Sequence, residues 1–300
     1  MKYLIIGTGG VGGSIGGYMA RAGKDVTLIA RGTHLEAIRK NGLTVEATSG
    51  TFTVNPPAED MDSYNDTPDV IIVCVKGYSL DEVIPFIARV ANDNTVVIPI
   101  LNIYGTGGKM QEKLPGMLVT DGCTYVAAQI KAPGVIAMNG AILRVVYGVR
   151  NPEEYRPVLE DIKQDLAESG IEPTLSDNIR RDALKKFAYV SPAATCGLYY
   201  NALAEAMQKP GEIRDTFAAL IHEIEILAEA MDIDFGEDMV AINLGILDNL
   251  APDASTSMQR DIAAGKSSEI DGLIYEVVRL GKKYGVSLPT YEMIAEAVKK

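Results

Sequence analysis

Short apolar runs alternate with amphipathic stretches through the first half of the chain. Lys2 to Ile6 is an apolar run stopped by Gly7, which predicts a buried strand. Ser14 to Ala22 carries helical spacing and ends near Gly23. Asp25 to Ala30 predicts a second buried strand, and Thr33 to Lys40 a helix closed by Asn41-Gly42. Leu43 to Ala47 and Thr51 to Val54 predict a hairpin. Asp69 to Val75 and Thr95 to Pro99 predict further buried strands, with a helix over Asp81 to Val90 between them. Strands that are apolar on both faces and alternate with helices predict a parallel sheet covered by helices.

From Leu118 to Val149 the runs shorten and are separated by Gly and Pro. Thr124 to Ile130, Val135 to Met138 and Ile142 to Tyr147 are expected to finish the sheet, partly antiparallel, before a helix over Pro157 to Ser169. Beyond about residue 176 only helical periodicity remains. Helices are expected over Ile179 to Met207, Glu212 to Met231, Asp238 to Leu250, Ser268 to Tyr284 and Thr290 to Val298, with a kink at Pro192. The expected fold class is an α/β Rossmann-type domain with a mostly parallel sheet over residues 1–176, then an all-α domain over 177–300.

Composition narrows the function. The 300 residues are 47% hydrophobic and 23% charged, enough apolar material for sizeable cores. A net charge of −12 argues against duplex DNA or an anionic membrane as partner, since both need clustered Lys and Arg. No signal peptide and no apolar run long enough to span a bilayer is evident, so a soluble, cytoplasmic protein is expected. Cys74, Cys123 and Cys196 are odd in number and widely spaced, as in a reducing compartment. His34 and His222 are the only histidines, which supplies zinc sites and catalytic triads poorly, and no metal is expected.

The strongest motif is Gly7-Thr8-Gly9-Gly10-Val11-Gly12, a G-x-G-x-x-G between a strand and a helix. Gly7 permits the tight turn, Gly9 lets backbone approach a pyrophosphate, and Gly12 lets helix and strand pack closely. About 20 residues on, where an NAD site carries an acid, the second strand ends in Ala30-Arg31, which suits the 2′-phosphate of NADPH. Lys76 and Asn102 follow the third and fourth strands, at the carboxyl ends that line the ligand crevice of such sheets.

The chain resembles the ketopantoate reductase (2-dehydropantoate 2-reductase) family nearly end to end. The resemblance is carried by GTGGVGG, LIARGTHLEAIRKNGL, VCVKGY, PILN, TYVAAQIKAPGVI, IRRDALKKF and STSMQRDIAAGKSSEIDGLIYEVVRLGKKYGVSLP. It implies NADPH-dependent reduction of a small 2-keto acid, in pantothenate biosynthesis. It implies Lys186 as proton donor, and Ser257, with Lys186 and Asn102, as substrate contacts. It implies that Glu269 bonds within the active site near the nicotinamide, and that Asn102 and Lys76 also belong to the cofactor side.

That chemistry is sound on residue types alone. Reducing a 2-keto acid needs hydride on carbon and a proton on the forming alkoxide, and a lysine supplies the proton while its charge polarises the carbonyl. One departure stands out. The family's asparagines four and eight residues after the lysine are Val190 and Ala194 here, with Ser191 and Thr195 one position further along. Either those hydroxyls rebuild the pocket or the keto acid differs from ketopantoate. A reductase of another branched 2-keto acid, or a non-catalytic NADPH-binding redox sensor, stays open, as does a homodimer.

Overall fold

The structure, a computed structural model, describes residues Met1–Lys299. It falls into two compact units. The first is Met1–Leu101 with Gly105–Ile179; the second is Asn102–Tyr104 with the chain from Arg180 onward.

The first unit opens with β1 (Lys2–Ile6), α1 (Gly10–Arg21), β2 (Asp25–Ile29), α2 (Gly32–Asn41), β3 (Leu43–Ala47), β4 (Gly50–Val54) and β5 (Ala58–Glu59). It continues through β6 (Val70–Val73), α3 (Leu80–Val90), β7 (Val96–Pro99), α4 (Thr106–Lys113), β8 (Leu118–Val119) and β9 (Asp121–Tyr125). β10 (Ala128–Ala132), β11 (Val135–Met138), β12 (Arg144–Gly148), α5 (Val158–Glu168) and β13 (Glu172–Leu175) complete it.

The main sheet has the order β5-β2-β1-β6-β7-β8 and is parallel throughout. Ile5 on β1 lies opposite Leu28 on one side and Ile72 on the other. All four residues of β6 and of β7 are buried, which explains their unbroken apolar runs. Successive strands leave β1 in opposite directions across the sheet. The loop after β1 therefore sits at the switch point, where ligands bind in such folds.

The expectation that residues 124–147 finish the main sheet is not met. They form two separate sheets, β10-β11-β3-β4 and β13-β12-β9. β11 pairs parallel with β3, a partner some ninety positions earlier, so the local pattern carried no sign of the pairing. The second sheet covers a face of α1 next to the one on the main sheet. A Cβ on Gly16 would meet Leu28 of β2 at 2.5 Å, while one on Gly13 would meet Ile136 of β11 at 2.6 Å. The glycine-rich helix is narrow because two sheets press on it. Thr124 to Ile130 is split between β9 and β10, and α4, β5, β8 and β13 lacked a readable period.

The second unit is helical: α6 (Ile179–Tyr199), α7 (Ala204–Gln208), α8 (Glu212–Ala230), α9 (Met239–Asp248), α10 (Ser257–Ala263), α11 (Glu276–Tyr284) and α12 (Pro289–Ala297). A π-helical turn over Asp271–Tyr275 leads into α11. The single helix expected over Ile179 to Met207 is two, parted at Asn201, whose φ of 50° is left-handed. α6 runs through Pro192 and ends only at Tyr199. The core of this unit is built around Leu184, Phe187, Phe217, Leu220, Ile224 and Ile274. Among the described residues no helix is long and apolar enough to cross a membrane.

Candidate active site

The glycine loop is assembled by the first unit. Gly7 takes φ +92°, a left-handed turn that a side chain would strain. The Gly7 and Thr8 amides both donate to the Ile29 carbonyl at 3.2 Å, and the Thr8 hydroxyl joins them at 2.9 Å. The Thr8 hydroxyl proton is thus spent on tying β1 to β2. α1 begins inside the motif, at Gly10, earlier than the Ser14 expected from periodicity. Its N-cap, Gly9, makes no side-chain cap, and its first turn holds no acid. The first-turn amides of Gly10, Val11 and Gly12, with the positive end of the helix dipole, remain for an anion.

Each glycine is required for a different reason. A Cβ on Gly12 would meet the Gly7 carbonyl oxygen at 2.3 Å, and one on Gly10 the Ala128 carbonyl oxygen of β10 at 2.4 Å. A Cβ on Gly9 would meet nothing within 4 Å. Space in front of Gly9, above uncapped amides, fits the pyrophosphate of a dinucleotide. The backing role of Ala128 had no signal in the sequence.

Arg31 is the N-cap of α2, at the carboxyl end of β2. Its side chain is 80% exposed and its nearest ionic partner is Glu82, at 3.8 Å. Such an exposed pair is weak, so the guanidinium is available to a phosphate. Lys76 is half-buried and caps the short turn after β6. Close by in the same unit, His34 Nδ1 accepts from the Gly134 amide at 3.0 Å, fixing the neutral ring with its proton on Nε2.

The second unit holds the other candidates. Lys186 lies on α6, half-buried, and its Nζ donates to Asn102 Oδ1 at 2.8 Å. The Asn102–Tyr104 segment is wedged against the helices around it. The Tyr104 ring lies 6.1 Å from that of Phe187. Ile103 fills the place of the missing side chain at Gly272, where a Cβ would meet its Cδ1 at 2.3 Å. Gly272 in the Glu269-Ile270-Asp271-Gly272 run is therefore a seat for the segment that carries Asn102. Lys185, one residue from Lys186, pairs instead with Glu237.

Glu269 stands just before the π turn and is 4% exposed. Ser257 is the first residue of α10, but it is not the cap. Thr256 caps that helix by accepting from the Gln259 amide, and Gln259 in return accepts from the Thr256 amide. Among the described residues the Ser257 hydroxyl takes no hydrogen bond, and it is half-buried.

Val190 is half-buried against the core and Ala194 lies within it. The neighbouring hydroxyls do not replace the missing amides. Ser191 is fully buried, donates to the Leu273 carbonyl at 2.6 Å and is 2.6 Å from the Tyr291 hydroxyl. It satisfies a carbonyl of the π turn. Thr195 is also fully buried. Of the two alternatives left open, the one in which these hydroxyls rebuild the pocket finds no support in their burial.

Comparison with known proteins accords with this picture. Residues 3–152 match the family described as ketopantoate reductase PanE/ApbA, and residues 178–300 match its C-terminal domain. A 2-dehydropantoate 2-reductase of Pyrococcus horikoshii is 29% identical over 311 residues, spanning 100% of this chain and 97% of that protein. YkpB of Bacillus subtilis, named as an uncharacterized oxidoreductase, is 26% identical over 300 residues, 98% of this chain and 96% of that one. The crystal structure of a PanE/ApbA family ketopantoate reductase from Ralstonia eutropha matches with a TM-score of 0.89 at 25% identity, over 99% of this chain and 97% of that chain.

Proposed function

The chain belongs to the ketopantoate reductase PanE/ApbA family, oxidoreductases that use NADPH, and from that premise we propose that it reduces ketopantoate to pantoate, in the cytoplasm and as a homodimer. The observation that carries the catalytic part is the 2.8 Å bond from Lys186 to Asn102.

NADPH, when bound, supplies the hydride. The α1 amides and the space before Gly9 hold its pyrophosphate, and Arg31 holds its 2′-phosphate. Lys186 presents an ammonium to the substrate's 2-keto oxygen. The charge polarises the carbonyl, and the Nζ proton passes to the alkoxide oxygen as the carbon is reduced. Lys186 is left neutral and regains a proton from water. Asn102 Oδ1 holds one N–H direction of the ammonium, which restricts where its remaining protons point. Ser257 Oγ donates to the substrate carboxylate or to its tail hydroxyl. Glu269 orients Lys186 and a substrate hydroxyl.

A second reading, a different branched 2-keto acid, is favoured by one observation. Val190 and Ala194 offer no amide, and Ser191 and Thr195 are turned into the core. A site that bonds a hydroxyl rejects analogues lacking it by up to about 10⁴-fold, whereas an apolar pocket discriminates weakly. A thiol-based sensor is disfavoured. Burial pushes the Cys196 thiol up to about 12 and raises Cys74 as well, so neither is a ready thiolate.

Steady-state kinetics with NADPH and a panel of 2-keto acids test this. Ketopantoate should turn over, with a smaller margin over 2-ketoisovalerate than a pocket with both asparagines would give. Ser257→Ala should raise KM for the keto acid and leave that for NADPH unchanged. Turnover of another keto acid but none of ketopantoate would sink the first reading.

A further inference from the structure

A serine inside a helix usually bonds a carbonyl of its own helix four residues back, or faces water. Ser191 on α6 points elsewhere. It is fully buried, and its hydroxyl donates at 2.6 Å to the Leu273 carbonyl, 82 positions away in the chain. With its proton spent there, its oxygen accepts from the Tyr291 hydroxyl, also at 2.6 Å. The ladder of α6 itself is mended by another residue. Pro192 has no amide for the Ala188 carbonyl, and Asn243 Nδ2 donates to that carbonyl at 3.1 Å instead.

Leu273 belongs to the π turn over Asp271–Tyr275, in which the Glu276 amide reaches back five residues to the Asp271 carbonyl. Such turns are uncommon, and this one is braced. Arg279 grips Asp271 at 2.8 and 2.9 Å and Glu276 at 2.7 Å. Groups assigned above to the reaction hang from the turn. Glu269 lies two residues before it, and its carbonyl accepts from the Leu273 amide at 2.9 Å. Gly272 seats Ile103, whose neighbour Asn102 holds the Lys186 ammonium at 2.8 Å. The contacts form a closed ring. It runs from Lys186 to Asn102, Ile103, Gly272, Leu273 and Ser191, then back along α6 to Lys186. Hydrogen bonds close it at Asn102 and at Ser191.

We propose that Ser191 is a positioning residue for the reaction: its bond to the π turn fixes α6 against that turn, and so fixes the Lys186 ammonium against Asn102. The assignment rests on the reading of Lys186 as proton donor and deepens it. Ser191 is buried in the core and acts through other residues. A hydroxyl bond suits the task because it fixes both distance and direction, whereas apolar contact is non-directional and lets a helix slide on its neighbour. A positioned acid tolerates little slack, since a displacement of about 1 Å can cost about 10²-fold in rate.

Steady-state kinetics of the full chain with NADPH and 2-keto acids test this, with Ser191→Ala, Asn102→Ala, the double variant and Tyr291→Phe. Ser191→Ala should lower kcat about 10- to 100-fold and leave KM for NADPH unchanged. The double variant should be no slower than Asn102→Ala alone, because the ring is already open; independent effects would multiply. Tyr291→Phe keeps the bond from Ser191 to Leu273, so it should lower Tm and retain the wild-type kcat. If Ser191→Ala does not fold, Ser191→Cys, a weaker donor of similar size, carries the same cycle with a smaller loss. Wild-type kcat in the Ser191 variant, losses that multiply, or a Tyr291→Phe as slow as Ser191→Ala would overturn the assignment alone. A wild type that turns over no 2-keto acid would overturn the reading of the reaction, and this assignment with it.

Discussion

Lys186 Nζ and Asn102 Oδ1 lie 2.8 Å apart although 84 positions separate them in the chain. The amide oxygen fixes the direction of one ammonium N–H. A positioned proton donor needs such a fixed direction.

The proposed role of Lys186 as proton donor has a direct test. Lys186→Ala should lower kcat by about 10²- to 10⁴-fold, the usual range for a positioned acid. NADPH affinity should hardly change, since the glycine loop belongs to the other unit. Lys185→Ala should cost little, because Lys185 is occupied by Glu237. Parallel kinetics and cofactor titrations check both.

Asn102 allows a sharper test. Asn102→Asp places a carboxylate against the ammonium, which favours the charged form and raises the lysine's pKa. The alkaline limb of the kcat profile should then move to higher pH. Asn102→Ala should instead lower kcat by about 10- to 150-fold, the worth of a hydrogen bond to a charged group, without that displacement.

Arg31→Ala should raise KM for NADPH about 10- to 150-fold, the worth of one charge-assisted contact, and leave KM for NADH nearly unchanged. Equal use of both cofactors by the wild type would contradict the assignment.

Two adjacent glycines should fail differently. Gly10→Ala drives a methyl into the Ala128 carbonyl and should cost about 1–3 kcal/mol of stability. Gly9→Ala meets no atom of the chain. It should keep the wild-type Tm and lose NADPH affinity, since the methyl occupies the approach of the pyrophosphate. Thermal melts paired with fluorescence titration of NADPH distinguish the two.

Burial holds the His34 pKa below its ordinary value of 6.5. Protonation therefore favours the unfolded chain. The stability tied to the neutral ring is fully present above about pH 6.5 and is lost as pH falls through the lower folded pKa. Tm should decline between pH 7 and pH 5, and His34→Gln, which does not titrate, should flatten that decline.

Local pattern was sufficient for much of the molecule. Apolar runs buried on both faces announced β1, β2, β6 and β7. The glycine spacing announced the loop between β1 and α1, because backbone that tight needs residues without Cβ. Arg31 and Lys76 were legible because strand ends in parallel sheets face one edge. Lys186, Ser257 and Glu269 were singled out only through resemblance, since a lysine, a serine and a glutamate on helices have no distinctive spacing of their own.

Tertiary structure decided the rest, wherever the cause lies far along the chain. The pairing of β11 with β3, which presses a second sheet onto α1, depends on segments that carry no mark of each other. Asn102 meets Lys186 because Ile103 finds its seat at Gly272, a residue 169 positions later whose missing side chain has meaning only in the packed unit. Ser191 looked available for a substrate. Its helix face turns it to the Leu273 carbonyl, a partner created by the π turn itself. Periodicity determines which residues want burial, but which buried surface each one meets is settled by packing between distant segments.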